Sequence, residues 1–350
     1  MTVESVPEPA VSGSSAARGS GHNSGSGVDS RARWGRGRDR FTAWALVLAW
    51  LVVVALFAVL DGGSFFSSSD FESIFTTQSV LLVLALSLVV PFSVGEFDLS
   101  IAGTMGIVYV LIGSLTINDH VNVLFALLIA LAVALVVGAI NAFLVVRLGL
   151  ESIVVTLGTG TLLYGLGYAV ITGPIVGVPS SLVNVVDYKI GPLSVQFYLA
   201  VILVLAAWYV LGWTPLGRYL YVVGSSREVA RLSGIPVNRI RAASFLVAAL
   251  IAGLAGVLLS GSTGGADPST ASGYLLAAFA AVFLGATAVT PGRFNAPGTF
   301  VAVYFLTTGV TGLELRGLTG WVEQVFYGGA LVAGVAISRV IGVVAKVSRS

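Results

Sequence analysis

Asp98 is the residue of this sequence whose type and position most strongly suggest a functional role. It lies in the segment VGEFDLSIA, between two long apolar runs. A charged side chain at the centre of a lipid bilayer costs at least about 2.5 kcal/mol, so such residues usually face a cavity or a partner. Asp98 could therefore contact a bound solute. Alternatively, Asp98 or Ser100 could accept hydrogen bonds from the free N–H groups that open the next helix. Glu96 is expected near the membrane interface, where water would solvate it.

Further polar side chains lie in the apolar runs that follow, and they could hydrogen-bond a hydroxylated solute. They are Asn141, Thr156, Thr159, Tyr164 and Tyr168. Hydrogen bonds between neighbouring helices are the alternative role for each of them. The sequence contains no pair of carboxylates, no histidine cluster and no Ser/His/Asp set, and both histidines, His22 and His120, lie outside the apolar runs. We therefore predict that this chain has no catalytic residue, no metal site and no cofactor.

The composition indicates that membrane-spanning helices carry these residues. Of the 350 residues, 56% are hydrophobic and only 10% are charged, whereas a soluble domain carries about 25% charged residues. Such a chain cannot cover a surface that faces water, and it gives no support for a nucleic-acid partner. The absence of cysteine excludes a disulfide framework and a thiolate metal or redox site. The expected protein is a multi-pass membrane protein surrounded by lipid.

The apolar runs predict an all-α, polytopic bundle of about ten spans, because each run approaches the roughly 20 residues that a bilayer requires. The predicted limits are 42–60, 74–93, 98–116, 121–146, 152–172, 195–213, 242–262, 273–290, 296–313 and 320–342. The third span opens with GEFDLSIAG and could instead be a broken or re-entrant helix. We thus predict one transmembrane domain at 42–343, preceded by a disordered, basic cytoplasmic tail at 1–41.

The basic residues favour one orientation of these spans. If the N-terminal tail is placed in the cytoplasm and the spans alternate, all of the 18 basic residues except Lys189 and Arg316 fall inside. Short cytoplasmic loops are expected to hold the excess of Lys and Arg. Both termini are therefore predicted to lie in the cytoplasm.

The longest cytoplasmic stretch, residues 214–241, reads TPLGRYLYVVGSSREVARLSGIPVNRIR. Ser226 to Leu232 could form a short amphipathic helix, which a serine would cap and Gly234 would help to end. Its charges would face water, while Val229 and Leu232 would lie on its apolar side. Such a helix would be a docking surface for a cytoplasmic partner. A bare loop that carries positive charge is the alternative.

Four segments together resemble the ribose-type sugar ABC transporter permease family, an inner-membrane component of binding-protein-dependent transport systems. They are VGEFDLSIAGTMGI (94–107), ESIVVTLGTGTLLYGLGYAVITG (151–173), the loop at 214–241 and the run from Gly261 to Gly298, in matching order. The similarity extends over most of residues 45–340.

The resemblance implies the membrane-spanning permease subunit of an ATP-driven importer in a bacterial plasma membrane. Such a subunit forms the path for a small neutral solute, such as a monosaccharide or polyol. Its partners would be ATP-binding subunits, a second permease subunit of the same or a different kind, and an extracytoplasmic solute-binding protein. ATP would be bound by the partner, because this chain lacks a Gly-x-x-x-x-Gly-Lys-Ser/Thr loop.

The family resemblance also assigns a role to the segment at 227–235, which would insert into a cleft of the ATPase and couple the two subunits. The residues expected to take part are Arg227, Glu228, Ala230, Arg231, Ser233 and Gly234.

The sequence departs from the family pattern in three places. Glu96 and Phe97 stand where Gly-Ile usually precedes Asp-Leu-Ser. The stretch GYLLAAFAA (273–281) lacks the acidic residue commonly found there, and the expected Gly-rich loop near 290–298 reads TPGRFNAPG. These changes would suit a chain that pairs with a different permease subunit.

Two other functions stay open from the sequence. A secondary transporter driven by an ion gradient would require charged groups within the membrane that form an ion relay, and only Asp98 fits. An ATP-driven permease for a nucleoside or a branched-chain amino acid would share the architecture. A charged solute should, however, leave compensating charges near the cavity, and the apolar runs contain almost none.

Overall fold

The computed structural model describes residues 27–60 and 74–347, with side chains described at 43–60 and 74–338. The first helix begins at Gly27, so it extends into the predicted tail at 1–41. A helix that is nucleated in an apolar span can propagate into neighbouring residues, because each added residue gains one hydrogen bond. Residues 1–26 of the predicted tail lie outside the described residues.

The described residues are almost entirely helical. The α-helices are α1 (Gly27–Leu60), α2 (Ser79–Ser93), α3 (Ile101–Gly113), α4 (Val123–Ala142), α5 (Ser152–Val170), α6 (Ser180–Val186), α7 (Val195–Trp213), α8 (Pro215–Ser225), α9 (Arg227–Leu232), α10 (Val237–Thr263), α11 (Tyr274–Gly285), α12 (Ala296–Glu314) and α13 (Trp321–Val347). The strands are β1 (Ile175–Val176), β2 (Lys189–Ile190), β3 (Leu193–Ser194) and β4 (Gly265–Ala266).

The number of apolar helices agrees with the sequence. Within the described residues, nine helices are long and apolar enough to cross a membrane, and Thr270–Gly285 is a shorter apolar helix. At 1.5 Å per residue this shorter helix is about 24 Å long, against a hydrocarbon core of about 30 Å. The predicted all-α bundle of about ten spans is confirmed.

The sequence predicted that the shorter helix would end at 290, but it ends at Gly285. Asn295 holds the chain in a tight turn after this helix. The side-chain amide of Asn295 donates to the carbonyl of Gly285 at 3.3 Å and to that of Ala288 at 3.1 Å. Its Oδ1 accepts the N–H of Gly298 at 2.7 Å and so caps the start of α12.

Two groups of contacts mark opposite ends of the bundle. At one end, Ile175–Val176 pairs antiparallel with Gly265–Ala266. At the other end, the hydroxyl of Tyr221 on α8 donates to the carbonyl of Phe294 at 2.8 Å. Burial raises the pKa of Tyr221, an effect that nearby Arg293 opposes, so the phenol remains protonated as a donor. Because α11 connects these two ends, it crosses the bundle despite its length.

Basic side chains are concentrated at the end that carries Tyr221. The arginines with described side chains at this end are Arg147, Arg218, Arg227, Arg231, Arg239, Arg241 and Arg293, whereas Lys189 and Arg316 lie at the opposite end. The Lys/Arg excess identifies the arginine-rich end as cytoplasmic. We call it the cytoplasmic end. The N–H of Val289 donates to the carbonyl of Ala43 at 2.9 Å, so α1 enters the bundle at this end.

The interior of the bundle is formed by α2, α3, α10 and α12. In α2, every residue except Val90 is buried. The outer helices α4, α5 and α7 expose large apolar side chains such as Phe125, Leu157 and Trp208, which is typical of surfaces that face lipid. Close helix contacts depend on small residues. A Cβ at Gly103 on α3, for example, would lie 2.8 Å from the carbonyl oxygen of Gly160 on α5.

The orientation can be tested with single cysteines, because the natural chain contains none. Val185 is exposed at the outer end and Thr290 is exposed at the cytoplasmic end. We expect a membrane-impermeant maleimide to label Val185→Cys but not Thr290→Cys on intact cells, and to label both after permeabilisation. Labelling of Thr290→Cys alone on intact cells would reverse the assigned orientation.

Candidate functional site

The chain leaves helical geometry between α2 and α3, at residues 94–100. Gly95 has a φ of +77° there, a conformation that glycine adopts without steric cost. The carbonyl of Pro91 accepts the N–H of Val94 at 3.1 Å and the N–H of Glu96 at 2.9 Å. The third span begins at Ile101 and runs uninterrupted to Asn118. The residues GEFDLS therefore form a non-helical connection between the second and third spans, which we call the break, and the third span is not itself broken or re-entrant.

Helix α5 provides hydrogen-bond partners for the interrupted backbone. The hydroxyl of Ser152 accepts the N–H of Phe97 at 3.3 Å, and the hydroxyl of Thr156 accepts the N–H of Leu99 at 3.0 Å. Non-helical backbone at membrane depth is tolerated only where protein or water satisfies its polar groups. The first turns of α5 therefore hold the break in place.

The carboxylate of Asp98 accepts its hydrogen bonds from within its own segment. Its Oδ1 accepts the N–H of Ser100 at 2.9 Å and the hydroxyl of Ser100 at 2.6 Å. The Asp98 side chain is buried. Within the described residues, Ser100 makes no capping bond to α3 through its own side chain. Neither residue proposed as a cap bonds an N–H of α3 through its side chain; Asp98 instead closes a turn onto Ser100, the residue that precedes the helix, and its contact with a solute stays a prediction.

The Asp98–Ser100 pair belongs to a polar network that joins three helices. The amide of Asn141 on α4 donates to the hydroxyl oxygen of Ser100 at 2.8 Å, and the hydroxyl of Thr159 on α5 donates to Asn141 Oδ1 at 2.8 Å. We call Asp98, Ser100, Asn141 and Thr159 the polar network. Because these groups bond one another, their geometry supports the interhelical role for Asn141 and Thr159.

Two of the predicted polar residues lie outside these contacts: Tyr168, which is 48% exposed, and Tyr164. Tyr164 is on α5, beyond Thr159, and its hydroxyl is buried without a hydrogen-bond partner among the described residues. An unsatisfied buried group costs about 1–3 kcal/mol, so it calls for a partner such as a solute hydroxyl or an ordered water. Of the predicted path residues, Tyr164 therefore has a polar group that remains available.

The predicted short helix at the cytoplasmic end is present. Helix α9 spans Arg227–Leu232, and the hydroxyl of its N-cap, Ser226, accepts the N–H of Val229 at 3.3 Å. Gly234 follows the helix with a φ of +76°. The expectation of a capped helix rather than a bare loop is confirmed.

The face that α9 turns towards the bundle differs from the prediction. Val229 and Leu232 share a helix face, but they are 55% and 84% exposed. Ala230, which was expected to contact the ATPase, is fully buried instead. A residue with no exposed surface cannot touch a partner. Ala230 therefore anchors α9 to the bundle, and the apolar face of α9 is left uncovered.

Glu96 is buried, so the expectation that water solvates it is wrong. Its side chain is 2% exposed, and its Oε1 accepts from Arg227 Nη2 at 2.7 Å and from Arg241 Nε at 2.5 Å. The two arginines lie 131 and 145 residues from Glu96 along the chain. No local sequence pattern indicates an ion pair over such separations. The only sequence signal is that Glu96 departs from the family pattern.

Comparison with known proteins agrees with this architecture. Residues 71–335 match the family model described as "Branched-chain amino acid transport system / permease component". The chain belongs to this permease family. The matched region includes the break, the polar network and α9.

Curated relatives cover most of this permease. The ribose import permease protein RbsC of Escherichia coli (strain K12) is 30% identical over 301 residues, which are 83% of this chain and 92% of the relative. The autoinducer 2 import system permease protein LsrC of Enterobacter sp. (strain 638) is 32% identical over 295 residues, 83% of this chain and 84% of the relative. No solved structure matches the chain significantly.

These comparisons confirm the resemblance to ribose-type permeases that the sequence motifs indicated. Together with the apolar helices, they confirm a multi-pass permease of a bacterial cell membrane.

The buried position of Asp98 leads to a stability prediction. We expect Asp98→Ala to lower the free energy of unfolding by about 1–3 kcal/mol, because the buried N–H and hydroxyl of Ser100 lose their acceptor. Asp98→Asn should lower the free energy of unfolding by less, since the asparagine amide oxygen can accept the same two hydrogen bonds. Thermal unfolding of the detergent-purified permease measures both effects.

Asp267 offers a matched control for this experiment. Its Oδ1 accepts the N–H and the hydroxyl of Ser269, both at 2.8 Å, in the same pattern but in an exposed loop. Asp267→Ala should therefore lower the free energy of unfolding only slightly. Equal losses for Asp98→Ala and Asp267→Ala would show that burial of the Asp98 pair contributes nothing.

Proposed function

We propose that this permease is the membrane-spanning subunit of an ATP-driven importer and forms part of the path of a small neutral solute, a monosaccharide or polyol. It pairs with a second permease subunit, contacts cytoplasmic ATP-binding subunits and receives solute from an extracytoplasmic binding protein. The observation that carries the proposal is the uncovered apolar face of α9 at the cytoplasmic end of a chain from this permease family.

Helix α9 has the features of a docking element. Val229 and Leu232 are exposed side by side, and the charged residues Glu228 and Arg231 beside them are exposed as well. Exposed apolar groups with a polar rim mark protein contacts. Buried Ala230 and the ion pair of Arg227 hold the helix against the bundle. A force applied to α9 by a partner would thus reach the bundle.

The chemistry of ATP hydrolysis belongs to the partner in this proposal. The permease supplies no cofactor and no covalent step, and its sequence has no phosphate-binding Gly-x-x-x-x-Gly-Lys-Ser/Thr loop. Its own task is to change which side of the membrane reaches the solute, in response to movements of the ATP-binding subunits.

The charges buried in the bundle support a neutral solute. Among the described residues, the buried acidic and basic side chains are Glu96, Asp98 and Arg241. Glu96 and Arg241 form an ion pair, and Asp98 is hydrogen-bonded to Ser100. Little charge is left to compensate the ammonium and carboxylate groups of an amino acid. A neutral polyhydroxylated solute requires hydrogen bonds only, and Tyr164 has a hydroxyl available.

The names of the curated relatives favour the same class of solute. The two relatives described above are permeases for ribose and for autoinducer 2, although the family description refers to branched-chain amino acids. A secondary transporter is disfavoured, because an ion relay requires several charged groups within the membrane, and among the buried charged side chains of the described residues Asp98 is the one outside the Glu96–Arg241 ion pair.

Docking through α9 predicts the outcome of a co-purification experiment. We expect the ATP-binding subunit to co-purify with the tagged permease from its own cells and to be lost from Leu232→Asp, because an aspartate places a charge in the apolar contact. Leu318→Asp is the matched control, since Leu318 is 40% exposed at the opposite end. Retention of the ATP-binding subunit by Leu232→Asp would exclude α9 as the principal contact.

The solute class can be tested by uptake into cells that lack this permease. We expect uptake of one neutral solute from a panel of radiolabelled D-ribose, D-galactose, myo-inositol and autoinducer 2 to be lost, and uptake of leucine to be unchanged. In cells that contain the permease, uptake of this solute should stop when ATP is depleted. It should continue when a protonophore dissipates the ion gradient while ATP is maintained. Selective loss of leucine uptake would contradict a neutral solute, and sensitivity to the protonophore alone would contradict the use of ATP.

A further inference from the structure

Three consecutive residues of the break connect it to three different parts of the permease. Glu96 pairs with Arg227 and Arg241. The Phe97 ring packs against that of Phe92, with 5.1 Å between the ring centroids. Asp98 leads into the polar network through Ser100. A displacement of Glu96 therefore acts directly on the residues that position the polar network.

Glu96 is held from two sides that differ in exposure. Arg241 is 11% exposed and belongs to the buried helix α10, whereas Arg227 is 43% exposed and is the first residue of α9. Both guanidinium groups donate to the same carboxylate oxygen, Oε1. Arg241 therefore keeps Glu96 paired within the bundle, and Arg227 links α9 to Glu96.

The backbones of the two segments also approach closely. At Gly224, near the end of α8, an added Cβ would clash with the carbonyl oxygen of Ser93. An added Cβ at Gly95, on the other side, would lie 3.6 Å from the carbonyl oxygen of Gly224. The segment that leads into α9 thus lies directly against the break. There is little slack between them to absorb a movement of α9.

We propose that Glu96 is the coupling residue of this permease: through Arg227 it transmits movement of α9 to the break between α2 and α3, and from there to the polar network. The inference rests on the proposed function, in which an ATP-binding subunit moves α9. Glu96 acts as a positioning residue, since it acts on the polar network through Phe97 and Asp98 rather than on a solute.

The ionic link suits a moving junction. Because the junction has little slack, a shift of α9 would pull on Glu96 through its ion pair with Arg227, whereas Arg241 keeps the buried carboxylate paired throughout. The role therefore predicts different behaviour for the two arginines. Loss of Arg227 should disconnect α9 from Glu96 while Glu96 stays paired with Arg241. Loss of Arg241 should disturb the interior of the bundle itself.

The test follows a cysteine reporter beside the polar network of the intact complex. Gly158→Cys provides the reporter, because the natural chain has no cysteine, Gly158 is exposed next to Thr159 on α5, and a Cβ at Gly158 meets no atom within 4 Å. The tagged permease is purified with its ATP-binding subunit, and labelling of the reporter thiol by a fluorescent maleimide is compared without nucleotide and with ATP and vanadate. We expect nucleotide to change the labelling rate several-fold in this parent protein.

Arg227→Gln is the decisive variant, because it leaves the Glu96–Arg241 pair in place and so leaves the fold supported. It should retain the ATP-binding subunit and lose the nucleotide-dependent change in labelling. Arg227→Lys should restore part of the change. The matched control is Arg239→Gln, which removes an exposed arginine on α10 that forms no ion pair among the described residues. It should respond like the parent.

Glu96→Gln and the Glu96→Gln/Arg227→Gln double variant complete a mutant cycle. If the two residues act as a unit, the double variant should lose no more of the response than either single variant. The inference is overturned if Arg227→Gln keeps the full response, if the two losses add, or if nucleotide leaves the parent unchanged although the ATP-binding subunit is present. Absence of that subunit from the parent preparation would instead overturn the proposed function, and this inference with it.

Discussion

The interior of this permease depends on satisfying one interrupted stretch of backbone. Between α2 and α3 the chain gives up helical hydrogen bonds in a region surrounded by buried helices, where an unpaired N–H or carbonyl group is costly. Ser152 and Thr156 of α5 replace two of the missing partners, and the Asp98 carboxylate replaces a third. Because α5 and the break must keep hydrogen-bond distance, the position of α5 follows from the position of the break. Asn141 then brings α4 into the same arrangement.

The second constraint at this junction is a buried charge. Taking a carboxylate out of water costs several kcal/mol, and a buried ion pair offsets that cost only with good geometry, so such pairs are a weak source of net stability. Glu96 nevertheless lies almost fully buried with two arginines on one oxygen. Removing one partner of a buried pair is far more damaging than the pair is stabilising. The ion pairs of Glu96 are therefore better explained by a role in joining two segments than by a gain in stability. The segments that Glu96 joins are α9 and the break.

The features that were predictable from the sequence are those that depend on local pattern. Composition and run length are sufficient for the spans, because a bilayer requires long apolar segments, and Ser226 and Gly234 mark the ends of α9 by their chemistry. Long-range contacts were not predictable. Glu96 has partners more than a hundred residues away. Its neighbours in sequence resemble those of a solvated interfacial residue. The orientation of α9 also escaped prediction, since six residues contain too little periodicity to show that Ala230 faces inward. The polar residues of the network could be named individually, but not the bonds between them.

The departure from the family pattern at Glu96 and Phe97 now has a physical context. Arg241 is almost buried, so a glycine at position 96 would leave its guanidinium group without this carboxylate, and the two positions constrain each other. Phe97 likewise fits among aromatic side chains, with its ring centroid 5.1 Å from that of Phe92 and 6.5 Å from that of Phe283. Both changes face the junction with α9 and the bundle interior, whereas Asp98 and Ser100 beside them keep the family residues. The difference from ribose-type permeases at this point therefore bears on the junction between α9 and the interior of the bundle.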